Sequence, residues 1–190
     1  MIMNRWGVLS MLVAGICAGC SRPTAEDYFA RAEAAEKQAL AARDTLSSPE
    51  EVRQRFQPAV DAFESLITEY PSHPLAESAL FRLAGLRTND THEPQLAIDA
   101  YTRYIERYPE GEKTPLAMFL IGYLYNNELH NLDSASAAYK RYLAKYPNDQ
   151  YASSAQFELN TLGKPIEEVL PSAPAPAPSS PPKTPKKKPA

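Results

Sequence analysis

Few side chains in this 190-residue sequence are able to do chemistry. Its two cysteines, Cys17 and Cys20, both lie in the first twenty residues, so the body has no thiol for a disulfide framework or a thiolate metal cluster. The histidines, His73, His92 and His130, are far apart in segments that read as loops, where a surface imidazole is the expected role. The acid pairs Glu50-Glu51 and Glu167-Glu168 are adjacent, so on a helix they point in different directions. They read as helix-start charge and solvated tail, not as an acid/base dyad. No G-x-S-x-G, P-loop, G-x-G-x-x-G or H-E-x-x-H is present. The expectation is no catalytic residue, no metal ligand set and no cofactor, hence no enzyme. What remains is a cysteine thiol, and its setting decides its fate.

That setting is MIMNRWGVLSMLVAGICAGC, one cation (Arg5), then an apolar run of about a dozen residues, then small residues, as in a secretory signal. The run is short of the roughly 20 apolar residues that span a bilayer. Residues 1–19 therefore read as a signal peptide. Cys17-Ala18-Gly19-Cys20 resembles the bacterial lipobox, in which a small residue precedes a cysteine that is acylated and becomes the new N-terminus. Cys17 stands where Leu is usual, which leaves ordinary cleavage near Ala18 or Gly19 as the alternative. The resemblance implies a thioether-linked diacylglyceryl group and an amide-linked acyl chain on Cys20. Several chains are what stable anchoring needs, at about 0.8 kcal/mol per buried methylene. Ser21, and not Asp, resembles lipoproteins sorted to the outer membrane. The expected location is the outer membrane, lipid-anchored and facing the periplasm.

Along the rest of the chain, SLITEYP (65–71), RYIERYP (103–109) and RYLAKYP (141–147) recur every 38 residues. The same shift carries Ala79, Phe81, Leu83 and Leu86 onto Ala117, Phe119, Ile121 and Leu124, then onto Ala155, Phe157, Leu159 and Leu162. Ala59 and Phe63 fall on Ala97 and Tyr101, then on Ala135 and Tyr139. Within each block the apolar residues recur at helical spacing and proline ends the second helix. Each unit is helix, turn, helix, stop, and one helix pair cannot bury its apolar face alone, so units must stack. Upstream, residues 25–44 read as an Ala-rich helix, and Ser48-Pro49-Glu50-Glu51 as the start of another, with Pro58 expected to kink or restart it. Residues 148–162 read as a last first-helix without a partner, capping the stack.

The pattern resembles a tetratricopeptide repeat, most closely where Met118, Ile121, Gly122 and Tyr125 supply the first helix, Ala135 and Tyr139 the second, and Pro147 the stop. The expected fold is all-α, a short tetratricopeptide-repeat α-solenoid of about seven helices over residues 20–163, followed by a disordered Pro/Lys-rich tail over 164–190. The resemblance implies a concave surface lined by the first helices of the units. Carried over by position, its residues are Phe81, Gly85, Thr88 and Asn89; Phe119, Tyr123, Asn126 and Asn127; and Phe157 and Thr161. Equivalent placement of the three phenylalanines also fits plain packing between helices, whereas Tyr123 and Asn126 are not repeated in the other units.

Charge narrows the partners. Residues 21–170 carry 15 Lys/Arg against 23 Asp/Glu, a net of −8, which disfavours nucleic acid; residues 171–190 carry four Lys and no acid. The tail reads as a semi-rigid polyproline spacer with a basic tip, a solubilising linker or a contact to anionic lipid or peptidoglycan. Anchor, solenoid and tail together resemble the BamD-type lipoproteins that serve as scaffolds in outer-membrane protein assembly. Phrases such as LITEYPSHPLAESALFRLA are equally similar to the tetratricopeptide domain of the Tol-Pal-associated coordinator of envelope constriction. The expected function is a non-enzymatic adaptor for periplasmic or outer-membrane proteins or peptide segments. The alternative is a cell-wall-associated envelope integrity or division factor acting as a spacer.

Overall fold

The Tyr-Pro repeats fold into one turn used three times. In a computed structural model, which describes residues 22–169, Tyr70, Tyr108 and Tyr146 each end a helix with φ near −127° and ψ of 52°, 61° and 59°. The proline after each tyrosine excludes the helical ψ, so the chain must leave at this point. The Tyr carbonyls then accept the amides of His73, Gly111 and Asp149, and the carbonyls of those residues accept from Ala76, Thr114 and Ala152. The repeat is therefore legible as repeated backbone hydrogen bonds.

Between the turns lie helices α1 (Ala25–Ala42), α2 (Pro49–Glu69), α3 (Pro74–Asn89), α4 (Pro94–Arg107), α5 (Thr114–Tyr123), α6 (Leu132–Lys145) and α7 (Ala152–Thr161). A wider π-turn, Leu124–Glu128, extends α5, and a single helical turn, Ile166–Val169, comes after α7 within the segment assigned to the tail. Among the described residues there is no strand. Each helix packs on the next, α1 on α2 through to α6 on α7, as an all-α tetratricopeptide-like solenoid requires. Starts are capped as their sequences suggest: Thr24 and Asp27 form a reciprocal capping box, and the Ser48 hydroxyl accepts from the Glu51 amide. Pro58 neither ends nor restarts its helix, because α2 is continuous around it. Both Pro58 and Gln54, whose carbonyl loses its partner, are exposed, so water replaces the missing bond.

The exits of α3 and α5 match as well. His92 and His130, one period apart, take left-handed φ of 51° and 50°. The next amides, Glu93 and Asn131, reach back to the carbonyls of Arg87 and Tyr125 at 2.8 Å. Each bond reaches back six residues, one more than the usual bond across a left-handed helix terminus.

The core combines buried alanines with Phe, Leu and Ile side chains and with the rings of Tyr101, Tyr104, Tyr139 and Tyr142. Two of the tyrosine hydroxyls donate to a carboxylate, which the fold supplies in two ways. Tyr104 donates to Glu77 on α3 at 2.7 Å, and a Cβ on Gly111 would lie 2.9 Å from both oxygens. One period later the residue at the Gly111 position is Asp149, and it accepts from Tyr142 directly. At the other end, Arg82 lies over the rings of Phe29 and Phe63 and reaches Glu33 and Glu36, joining α1 to α3. Just after the first twenty-one residues, Tyr70 donates to the Pro23 carbonyl at 2.6 Å, and Tyr28 and Arg22 both hold Glu69. The signal peptide, Cys20 and the tail beyond residue 169 lie outside the described residues.

Two glycines of adjacent units have opposite surroundings. A Cβ on Gly122 would meet the Tyr139 ring at 2.7 Å, whereas one on Gly85 would meet nothing within 4 Å. Gly122→Ala should therefore lower stability by about 1–2 kcal/mol, overpacking outweighing helix propensity. Gly85→Ala should raise it by about 0.5–1 kcal/mol, which urea unfolding of the two variants would measure. Acid should also act at the last turn. The Tyr142 hydroxyl, then the amides of Tyr151 and Gln150, hold the Asp149 carboxyl below the usual range. A depressed carboxyl stabilises above its unfolded pKa, and that contribution is lost as pH falls through the folded one. Thermal unfolding of Asp149→Asn should thus show a smaller loss between pH 7 and pH 3 than the parent chain, from a lower starting point.

Candidate protein-binding site

The first helices of the units, α3, α5 and α7, carry the residues assigned to the groove, and those residues fall into two sets. Phe81 lies half-buried edge-on to Tyr101 and Tyr104, with ring centroids 5.5 and 5.3 Å away, under the Lys113 ammonium. Phe119 does the same one period later, edge-on to Tyr142 and stacked on Tyr151. These two phenylalanines therefore pack against the second helix of their own unit. Phe157, their counterpart on α7, is 54% exposed. Thr88 and Thr161 bond back to the carbonyls of Ala84 and Phe157, and Asn89 lends its carbonyl to Arg43.

The second set comes together at the end of α5. Tyr123 is 38% exposed. Asn126, in the π-turn, donates its amide to Glu158 on α7 at 3.0 Å, and exposed Asn127 bonds the Tyr123 carbonyl. The π-turn itself sets these directions, since one extra residue per turn rotates the side chains beyond it. Beneath them lies Tyr139, fully buried, its ring against Gly122. Its hydroxyl has no hydrogen-bond partner. Burial, then the nearby Glu158 and Tyr123, push this hydroxyl well above the usual tyrosine range. It is therefore a neutral donor at any physiological pH.

In the preceding unit the matching Tyr101 has the Thr88 hydroxyl beside it. Asn126 stands at the Thr88 position, and its amide is turned outward to Glu158. The change of residue type is visible in the sequence; Glu158 and Tyr139 escape it because their roles depend on contacts across helices. The resulting patch offers the exposed ring of Tyr123, side-chain amides and a carboxylate, above one buried donor that lacks a partner. Such a surface can hold a peptide by stacking and amide hydrogen bonds. Among the described residues no group of His, Cys, Asp and Glu is placed to hold a metal ion, and no helix is long and apolar enough to cross a membrane.

Residues 50–167 match the family described as YfiO, outer membrane lipoprotein, consistent with the resemblance to BamD-type lipoproteins. Comparison with curated proteins gives no match. Helix α1 precedes the matched span and packs on its first helix.

Restoring the earlier unit's arrangement should separate packing from recognition. Asn126→Thr should leave the thermal midpoint at or slightly above that of the parent. A Tyr139 hydrogen bond worth about 0.5–1.5 kcal/mol would offset the loss of the half-buried Asn126–Glu158 contact. A clear drop in the midpoint would show instead that Asn126 holds α7 in place.

Proposed function

The chain belongs to the YfiO family of outer membrane lipoproteins, and we propose that it is a non-enzymatic, lipid-anchored scaffold whose groove holds a protein segment during outer-membrane protein assembly. The observation that carries the reading is the cluster of Tyr123, Asn126 and Glu158 at a place where the repeat departs from itself on the groove side. Family membership supplies the compartment. The Cys20 lipobox supplies the attachment, with the solenoid on the periplasmic side of the outer membrane. Scaffolding needs no transition state to stabilise, in keeping with a sequence that offers no catalytic constellation.

The alternative, a spacer in envelope integrity or division, is favoured by the charge division of the chain. A net of −8 over residues 21–170 gives way to four lysines in residues 171–190. A basic tip suits the anionic cell wall.

In-cell crosslinking of a tagged full-length copy, then purification and mass spectrometry, tests the first reading. β-Barrel assembly components should be recovered, and joint Tyr123→Ala and Asn126→Ala substitution should abolish their capture while the thermal midpoint stays within a few degrees. Unchanged capture would rule the groove out as the binding site. Recovery of Tol-Pal or peptidoglycan-associated proteins, lost on deletion of residues 171–190, would replace the reading with the alternative. Cys20→Ser should shift the protein from the membrane to the soluble fraction.

A further inference from the structure

The outer face of the solenoid is built twice from equivalent positions, and its apolar floor is buried in one unit and half-buried in the next. Where α2 meets α3 and α4, Glu64 accepts from Arg87 at 3.0 Å and lies 3.4 Å from Arg103. Beside this clamp Ile67, Leu80, Leu83 and Ala100 are all buried. One period on, the clamp positions hold Thr102, Tyr125 and Arg141. Thr102 has no charge to offer, and Arg141 forms no ion pair among the described residues.

The apolar floor changes accordingly. Ile105 and Met118, the counterparts of Ile67 and Leu80, are only half-buried. A notch of about 180 Å³ opens over them and over Ile121 and Ala138, with Thr102, Glu106 and Arg141 at its rim. A cavity of about 150 Å³ takes one benzene, whereas drug-sized ligands need roughly 300 Å³ or more. The notch therefore fits one side chain. Met118 in its floor adapts readily to what enters.

Charge identifies the owner of that side chain. The last two turns of α4 and α6 present Arg103, Arg107, Lys140, Arg141 and Lys145 to solvent, with Glu106 the one acid on those turns and Glu64 of α2 paired with Arg103. Arg107 and Lys145 hold the carbonyls of Pro71 and Pro109 and keep their charge there; Lys140 and Arg141 point to no partner among the described residues. Arg141 is the cation at the notch rim, and Arg107, Lys140 and Lys145 on the same turns form no ion pair among the described residues, a local exception on a body of net −8. Such a field selects an acidic partner.

We infer that the notch between α4 and α6 is a second docking surface, which takes one apolar side chain of an acidic protein segment, with a carboxylate next to that anchor meeting Arg141. It lies on the other side of α5 from the groove: Met118 and Tyr123 are about 140° apart around that helix. The inference stands independently of the groove reading and adds a second face to the scaffold.

The probe is a short synthetic peptide with one leucine flanked by aspartates and glutamates, titrated into the full-length protein in detergent micelles with ¹³C-methyl-labelled isoleucine and methionine. Saturable shifts of the Ile105, Met118 and Ile121 methyls are expected. Replacing the peptide's leucine by alanine should weaken binding at least about tenfold, and so should Thr102→Glu, which restores an acid opposite Arg141. Tyr123→Ala should leave the titration unchanged. Absence of shifts, shifts indifferent to the leucine or to Thr102→Glu, or equal binding of a lysine-flanked peptide would overturn the assignment. The same shifts from phosphatidylglycerol vesicles would overturn it in favour of a lipid surface.

Discussion

The ring of Tyr139 lies so close along α5 that a Cβ on Gly122 would stand 2.7 Å from two of its carbons, and this approach fixes where everything else in the unit can go. A small residue under a large ring lets two helix axes come together with few voids. The preceding unit uses Ala84 beneath Tyr101 for the same purpose. Because a tyrosine ends in a hydroxyl, each close approach also delivers a polar atom toward the groove edge. Packing and recognition are therefore not separable here. The contact that closes the helix pair also produces the buried donor at the centre of the candidate site.

Much of the architecture was legible because the Tyr-Pro stop is a local constraint: proline restricts the residue before it wherever it occurs. The three turns share dihedrals and hydrogen bonds for that reason. Pro58 was harder to read, since the cost of a proline in a helix depends on whether the freed carbonyl meets water, and that depends on the helix face. His92 and His130 were readable as surface imidazoles but not as the paired left-handed exits of α3 and α5, a backbone role that residue type does not suggest. The outward turn of Asn126 was out of reach, because it depends on a π-turn and on Glu158, a residue on another helix.

A repeat carries its own comparison, since each position is seen in more than one environment built by the same rules. Where chemistry is held constant, as in the buried tyrosines, the fold is being maintained. Where it changes without loss of the fold, the change requires another explanation. Thr88 to Asn126 on the groove side and Glu64 to Thr102 on the outer side are changes of that kind, and both occur around α5. The solenoid thus departs from its repeat on both faces around α5, while α1 and α3 are held together by Arg82, its two acids and its two rings.

The hold of Tyr70 on the Pro23 carbonyl has a geometric consequence for the anchored protein. Three peptide steps separate Cys20 from that hydrogen bond, about 10 Å at full extension. A lipid on Cys20 would leave the body almost no leash. The pole where α1 begins and α2 ends would be held close to the bilayer instead of drifting on a tether.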